Sequence, residues 1–393
     1  MSAELFTDQP TPAEMIAPPE QSPSPLAGYT LTEMVEDLDS VAKNEMSYAE
    51  LRAKQEAVLA GAAERIAANT DLHAAKVTQM DLAFMLGGYL KADEHKETDA
   101  DSVAFRLAPP QLLGLLKQQA DRFGIPPLMD YDLIIDVNSS EYLEHGHMRT
   151  FTGHPGERDF YLGHHLSEPY VKAAAYQLRT VIDTPHQVDV NAVLESAADN
   201  MRTFRQFMQK YIKLSTAAFG NMRPYLASYP GGIRNASGAF MPGVPLAELA
   251  LHAPTDEHGK FLDESAPYFP QWAQTPITDA REASTRGRNI MDMVTSGEIS
   301  LTDEGNAAHT ALREFVDEFV RFRMAHHAAT RKQIPGAFPA GAAVSRSALR
   351  EFGEPDITSV DGVKGTADFN IQNVLGGSIN RLLVTLDAVE DTK

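Results

Sequence analysis

The sequence has no cysteine, and this absence excludes several classes of chemistry. The chain can form no disulfide bonds, and it can hold neither a thiolate-ligated haem nor a cysteine-bound iron–sulfur cluster. Covalent attachment of a c-type haem and catalysis by a cysteine nucleophile are excluded as well. Any bound metal must therefore be held by His, Asp, Glu, Tyr or Met. The lack of disulfides also fits a reducing compartment.

Basic residues are few compared with acidic ones. The chain has 34 Lys and Arg residues against 54 Asp and Glu residues, which gives a formal net charge of -20. A chain this acidic repels phosphate backbones, and no basic stripe offsets the charge. We therefore expect no nucleic-acid partner.

Long apolar runs are also missing. No run approaches the length of a membrane-spanning helix, so we expect no membrane insertion. A secretory signal needs a basic segment followed by an apolar core near the amino terminus, whereas the first basic residue here is Lys43. These observations predict a cytoplasmic protein.

The pattern of the remaining residues predicts an all-α fold. Hydrophobic residues make up 43% and charged residues 22% of the chain, as is typical of globular proteins. Almost no segment alternates with a period of two residues, so we expect essentially no sheet. We predict a Pro-rich tail over residues 1–27, a small helical domain over residues 28–105 and a large helical-bundle domain over residues 106–393.

Good helix formers are concentrated in nine segments. The predicted helices are Leu31–Val41, Tyr48–Ala68, Val77–Leu90, Pro109–Phe123, Phe160–Val181, Val190–Leu214, Ile277–Val294, Thr302–Thr330 and Ile371–Val389. Two Gly- and Pro-rich loops are predicted between Tyr225 and Pro245 and over Pro335–Ala343. Long loops in a helical protein are often functional.

The predicted helix Thr302–Thr330 has an aromatic face. At about 100° per residue, one apolar stripe contains Leu312, Phe315, Val316, Phe319 and Phe322. Arg323 and His326 fall in the same stripe, and His327 lies at its edge. A buried Arg323 needs an anion, which Glu248 or a haem propionate would supply. His326 is either a core histidine bonded to a carbonyl or a ligand of haem iron.

Five histidines lie in a short window near Glu141 and Glu144; they are His145, His147, His154, His164 and His165. The pair Glu144 and His147 resembles half of a di-iron carboxylate site, but no convincing second half is present. A zinc site would also need ligands at a more regular spacing. Gly146 also argues against a rigid helix there, and we expect most of these histidines to be surface or loop residues.

His164 is the histidine of this window with the strongest functional interpretation. It follows the aromatic pair Phe160 and Tyr161 near the start of a predicted helix. Its imidazole could hydrogen-bond an indole N–H, or act as an acid or base on bound oxygen. The alternative is a histidine at the start of a helix that faces water.

Four separated stretches carry a resemblance to a known family. They are residues 107–113 with 124–132, residues 149–162, residues 219–225 with the loop that continues through 231–245, and residues 321–326 with 365–369. In order and spacing they resemble the indoleamine and tryptophan 2,3-dioxygenase haem superfamily, and they are most similar to its monodechloroaminopyrrolnitrin synthase branch. The similarity spans about residues 75–390.

The resemblance implies a haem b cofactor. His326 matches the proximal ligand of the haem iron in this family, and Arg323, three residues earlier, is the expected partner of a propionate. His164 falls where the indoleamine enzymes carry a serine, and the tryptophan dioxygenases use a histidine on that side of the haem.

The resemblance also implies a substrate site. Phe160 and Phe219 match aromatic positions that line the distal pocket, and Arg223 matches the arginine that pairs with the substrate carboxylate. Thr366 matches the threonine of the loop that closes over the substrate. The family sequence Gly-Thr-Gly-Gly is replaced here by Gly-Thr-Ala-Asp at residues 365–368.

The function expected from these residues is haem-dependent oxidation of tryptophan or a tryptophan-derived indole amino acid, as in secondary metabolism. The oxidant would be dioxygen or peroxide, and a homodimer is compatible with the sequence. Two other classes stay open. One is a haem- or ligand-binding helical protein without turnover, and the other is a non-haem metal enzyme that uses the histidines between residues 145 and 165.

Overall fold

A computed structural model of the chain describes residue 26 and residues 31–90, 106–146, 148–211, 216–226, 240–301 and 307–337. Every regular element in these ranges is a helix, so the all-α prediction is confirmed. None of the helices in them has both the length and the apolarity that a bilayer crossing requires. The predicted helix Ile371–Val389, residues 1–25 and 27 of the predicted tail, and Thr366 lie outside the described residues.

The chain divides into two compact units, and the first takes residues up to 89 together with 105–129 and 133–153. Its α-helices are α1 (Leu31–Ala42), α2 (Tyr48–Ala68), α3 (Leu72–Gly87), α4 (Pro110–Phe123) and α5 (Asn138–His145). Helix α3 lies at the centre, because α2 and α4 both pack against it. The predicted domain boundary between residues 105 and 106 stays a prediction.

Helix α3 is buried on all sides from Val77 onwards, and most of its residues there are apolar. Every residue from Val77 to Gly87 is buried. Phe84 stacks on Phe151 with ring centroids 4.6 Å apart. The buried amide of Gln79 donates to the carbonyls of Leu116 and Pro126. These two bonds pair the amide nitrogen of Gln79, which offsets part of the cost of burying a polar side chain.

The second unit takes residues 90–104, 130–132 and 154–393. Its described α-helices are α6 (Pro155–Asp183), α7 (Val190–Tyr211), α8 (Thr216–Met222), α9 (Gly243–Leu251), α10 (Asp256–Ser265), α11 (Gln271–Thr285), α12 (Ile290–Thr295) and α13 (Ala307–Ala337). A 3₁₀ turn, Arg223–Leu226, continues α8. Helix α7 packs against both α6 and α13, and these three long helices form the framework of the unit.

Helix α6 starts earlier than its apolar periodicity indicates. His154 caps it by accepting a hydrogen bond from the backbone N–H of Gly156, and Pro155 occupies the first helical position. Proline is favoured there because its missing N–H would have no intrahelical partner. The helix then runs for 29 residues and passes through Pro169.

The predicted apolar face of α13 is confirmed. Leu312, Phe315, Val316, Phe319 and Phe322 are all buried. Ion pairs flank this face where α13 meets α7, because Arg202 pairs with Glu314 at 3.0 Å and Arg205 pairs with Glu318.

The prediction of one helix over Ile277–Val294 is wrong. Helices α11 and α12 are separate, and the chain turns between them at Gly287, whose φ is +80°. A left-handed residue cannot continue a right-handed helix, and glycine adopts it without steric cost. The predicted loop between Tyr225 and Pro245 is also too long, because the 3₁₀ turn and α9 occupy its two ends.

Helix α9 approaches α6 so closely that no side chain fits at Gly243. A Cβ there would lie 2.5 Å from Cγ1 of Val171 and 3.0 Å from the backbone nitrogen of Lys172. We expect Gly243→Ala to cost about 1–3 kcal/mol of unfolding free energy, because backbone cannot move aside as a flexible side chain can. Urea unfolding followed by circular dichroism measures this cost.

The matched control for Gly243 is Gly61, an exposed residue inside α2, where a methyl group in place of the hydrogen would have no neighbour within 4 Å. Gly61→Ala should stabilise the protein by about 0.5–1 kcal/mol, because alanine restricts the unfolded chain more than glycine does. Equal effects of the two substitutions would show that the close crossing of α9 and α6 does not exist in solution.

Candidate functional site

Three of the residues predicted to line the substrate site lie together in the second unit. The ring of Phe160 lies 4.3 Å from that of His164 and 6.3 Å from that of Phe219, measured between centroids. Phe160 and His164 are one turn apart on α6, whereas Phe219 comes from α8. We call these three residues the aromatic cluster.

His164 is fixed in one tautomer by the backbone of its own helix. Its Nδ1 lies 2.8 Å from the carbonyl oxygen of Phe160, so Nδ1–H donates and Nε2 carries the lone pair. The residue is only 4% exposed. Burial lowers the pKa of His164, and the bond to the Phe160 carbonyl opposes this only in part. The imidazole is therefore neutral at neutral pH, with Nε2 as an acceptor.

The interpretation of His164 as a helix-start residue facing water is wrong. The residue lies well inside α6, since the helix begins at Pro155. The same face of α6 is polar and buried at several positions. Tyr161 donates to Glu157 at 2.7 Å, and burial raises the pKa of Tyr161 well above its ordinary value.

The helices that carry the predicted site residues are neighbours. Helix α8, which carries Phe219, packs against both α6 and α13. Arg223 begins the 3₁₀ turn directly after α8. The side chain of Arg223 and the whole of Thr366 lie outside the described residues, so their roles stay predictions.

His326 extends the aromatic face of α13 by one turn. Its ring centroid lies 5.9 Å from that of Phe322, and the two rings are inclined by 33°. His326 is half-buried, unlike the fully buried aromatic residues before it. The imidazole thus lies at the margin of the packed core.

Arg323 has a carboxylate partner. Its Nη2 lies 4.0 Å from Oε2 of the buried Glu248, which is one of the two anions expected from the sequence. A second partner of Glu248 was not predicted: Nδ1 of His258, on α10, lies 3.7 Å from Oε1. The role of Arg323 towards a haem propionate stays a prediction.

Burial and neighbouring charges shift the pKa of Glu248 in opposite directions. Burial raises its pKa, but His258, Arg323 and His252 together lower the pKa below its ordinary value. Burial also lowers the pKa of His258, and the carboxylate of Glu248 opposes this in part. The positive charges near Glu248 therefore outweigh the effect of burial, and its carboxylate is ionised at neutral pH.

The described histidines of the window between residues 145 and 165 do not all lie in the same unit. His145 ends α5 in the first unit, whereas His154, His164 and His165 belong to α6 and its cap in the second. His147 lies outside the described residues. Of these histidines, only His145 belongs to a group of potential metal ligands among the residues that the structure describes, together with Glu141 and Glu144.

Sequence reasoning missed a buried ion pair in the first unit. Arg149 Nε lies 2.6 Å from Asp81 Oδ1, and both side chains are almost fully buried. The backbone of Arg149 is held by the amide of Asn138 through two hydrogen bonds. The signal in the sequence is Asp81 itself, a charged residue between the apolar residues Met80 and Leu82.

A scan against models of known protein families finds no match for this chain. A search of curated proteins also finds no match.

Because His164 is buried with a neutral imidazole, we expect the stability of the protein to depend on pH. The folded form binds fewer protons than the unfolded form between the lowered pKa and the ordinary value of 6.5. Stability therefore rises with pH in this window and is lost as the pH falls below 6.5. His164→Gln should reduce the slope of the unfolding free energy against pH, by at most about 1.4 kcal/mol per pH unit.

Urea unfolding at a series of pH values above and below 6.5 measures the slope. His186→Ala, which removes an exposed histidine after α6, should leave the slope unchanged. If His164→Gln and the wild type lose stability in parallel on acidification, the buried neutral state of His164 is wrong.

Proposed function

We propose that the second unit binds haem b and oxidises tryptophan or a tryptophan-derived indole amino acid. The observation that carries this proposal is the aromatic cluster of Phe160, His164 and Phe219. It combines two phenylalanine rings with a buried neutral imidazole whose Nε2 is an acceptor. An indole offers a flat apolar ring and one N–H donor, and this set of groups complements both.

The residues of the second unit fit a haem group by their chemistry. A chain without cysteine can ligate haem iron through histidine, and His326 lies half-buried at the end of an aromatic helix face. Arg323, one turn after Phe319 on the same helix, adds a cation near this face. His326 would hold the iron. The bound haem would supply the redox chemistry, and the protein would supply position and surroundings.

The chain's own residues would bind and orient the indole. Phe160 and Phe219 meet edge to face at 68°, so two differently oriented apolar surfaces are available to the ring. His164 Nε2 would accept a hydrogen bond from the indole N–H, because Nδ1–H is already committed to the Phe160 carbonyl. The same nitrogen would accept a proton if the indole N–H were lost during the reaction.

The first test is the optical spectrum of the purified protein. We expect a red-brown protein with a Soret band that shifts when L-tryptophan is added to the ferrous form, followed by product formation when oxygen is admitted. A spectral shift without any product would favour a binding protein that lacks turnover. A colourless protein with bound iron or zinc and no Soret band would support a non-haem metal enzyme and reject the proposal.

Arg223→Ala tests the proposed recognition of the amino-acid carboxylate. A charged hydrogen bond to a carboxylate contributes about 1.5–3 kcal/mol, so the variant should bind L-tryptophan roughly tenfold to a hundredfold more weakly. Binding of tryptamine, which lacks the carboxylate, should change little. Spectral titration of both ligands measures the difference, and equal losses would remove the role proposed for Arg223.

A further inference from the structure

A set of four metal-ligating side chains lies in the first unit, and none of them takes part in the proposed haem or indole binding. Glu141, Glu144 and His145 share one face of α5 at positions i, i+3 and i+4. Their ligand atoms all lie within 4.8 Å of one another. His73, from α3, adds a second imidazole, whose Nε2 lies 3.1 Å from Oε1 of Glu141. We call these four residues the α3–α5 cluster.

The ligand atoms of the α3–α5 cluster are already almost as close together as the ligand atoms around a bound zinc ion. A tetrahedral zinc with bonds of about 2.0 Å separates neighbouring ligand atoms by roughly 3.3 Å. The distance between His73 and Glu141 is already 3.1 Å. His145 Nε2 lies 3.9 Å from both Glu141 Oε1 and Glu144 Oε2. Small rotations of partly exposed side chains would bring the remaining ligands to bonding distance.

Glu141 is the member held in place by the protein. Its side chain is 4% exposed, while the side chains of His73, His145 and Glu144 reach solvent. Arg149 Nη1 lies 3.8 Å from Oε2 of Glu141, and Asp81 holds Arg149 in turn. One carboxylate oxygen thus faces the buried guanidinium, and the other faces the two imidazoles. Groups that orient a ligand in this way are typical of metal sites.

The charges and ligand atoms of the α3–α5 cluster indicate which class of metal ion it would bind. Two imidazoles and two carboxylates suit zinc and related borderline ions, whereas magnesium and calcium prefer oxygen ligands alone. The carboxylates of Asp81, Glu141 and Glu144 outnumber the single guanidinium of Arg149, so the group is negatively charged when the histidines are neutral. A divalent cation would offset this excess and link the two helices.

We propose that the α3–α5 cluster is a zinc site that fastens α5 to α3. The site is structural and solvent-accessible on one side, and it is independent of haem binding and of the proposed oxidation. The metal would bind the lone pair on Nε2 of a neutral His73 ring, whose single proton would then be on Nδ1, and competition from protons would weaken binding at low pH.

Calorimetric titration of the full-length protein with zinc chloride, after treatment with a chelator, tests the proposal. We expect saturable binding of one zinc ion per chain. His73→Ala, Glu144→Gln and His145→Ala should each weaken binding at least tenfold, because each removes a ligand. His186→Ala, an exposed histidine outside the cluster, and His326→Ala should bind zinc as the wild type does.

Thermal unfolding provides the second measurement. Zinc should raise the unfolding temperature of the wild type and of His186→Ala, since a ligand bound only by the folded state stabilises it. It should not raise that of the double variant His73→Ala/His145→Ala, whose helix content by circular dichroism checks its folding. The proposal is overturned if zinc fails to saturate the wild type, or if the double variant binds it equally well. Zinc binding that is lost only in His326→Ala would place the metal in the second unit and reject the cluster.

Discussion

We expect the His326→Ala variant to lose stoichiometric haem binding, with an affinity lower by roughly a hundredfold or more. The axial imidazole is the only coordinate bond that the proposal gives the protein, and even residues that merely orient a ligand change affinity by about 10–100-fold. The variant should still fold, because His326 is half-buried and lies at the margin of the core. Haem titration followed at the Soret band measures the loss.

The neighbouring substitution, His327→Ala, is the matched control for His326→Ala. It removes the same side chain from the same helix and should leave haem binding intact. If His327→Ala abolishes binding and His326→Ala does not, the face of α13 assigned to the haem is wrong. If neither substitution changes binding, the iron ligand lies elsewhere in the chain.

The second large effect concerns stability. Arg149→Met should lower the unfolding free energy by about 3–5 kcal/mol, because it leaves the buried carboxylate of Asp81 without its cation. Burial raises the pKa of Asp81, while Arg149 lowers it and Glu141 raises it again. Asp81 in the variant would therefore take up a proton or be exposed by local opening. Urea unfolding of the first unit measures the cost.

The double variant Asp81→Leu/Arg149→Met separates the buried charge from the lost packing. It removes both members of the pair, so it should be more stable than Arg149→Met alone, since a buried pair replaced by apolar groups is often nearly neutral. A loss below about 1 kcal/mol in Arg149→Met would contradict the buried geometry. A double variant less stable than the single one would show that the charge of Asp81 is not what destabilises it.

Periodic burial is the part of this fold that the sequence predicts well. The apolar stripe of α13 follows from the spacing of its phenylalanines, because a helix turns by about 100° per residue. The structure buries that stripe as expected. Breaks are harder to predict: Gly287 interrupts a segment that is otherwise rich in helix formers, and its effect depends on the backbone conformation that the surrounding fold imposes.

The surroundings of single polar residues could not be predicted, because they depend on contacts between distant segments. His164 was expected either in an aromatic pocket or in water, and only the start of α6 at Pro155 places it in a buried turn. The pairing of Arg323 with Glu248 was anticipated, but the approach of His258 was not. His73 and Glu141 are 68 positions apart, and no local pattern links them.

Pro169 determines where α6 bends most readily, and α6 carries two residues of the aromatic cluster. Pro169 has no N–H to donate to the carbonyl of His165. The helix therefore lacks one backbone hydrogen bond about one turn beyond His164. A helix bends most readily at such a point. Any bend of α6 would therefore be centred beyond His164 and would move Phe160 and His164 together, because both lie before Pro169 on the same helix.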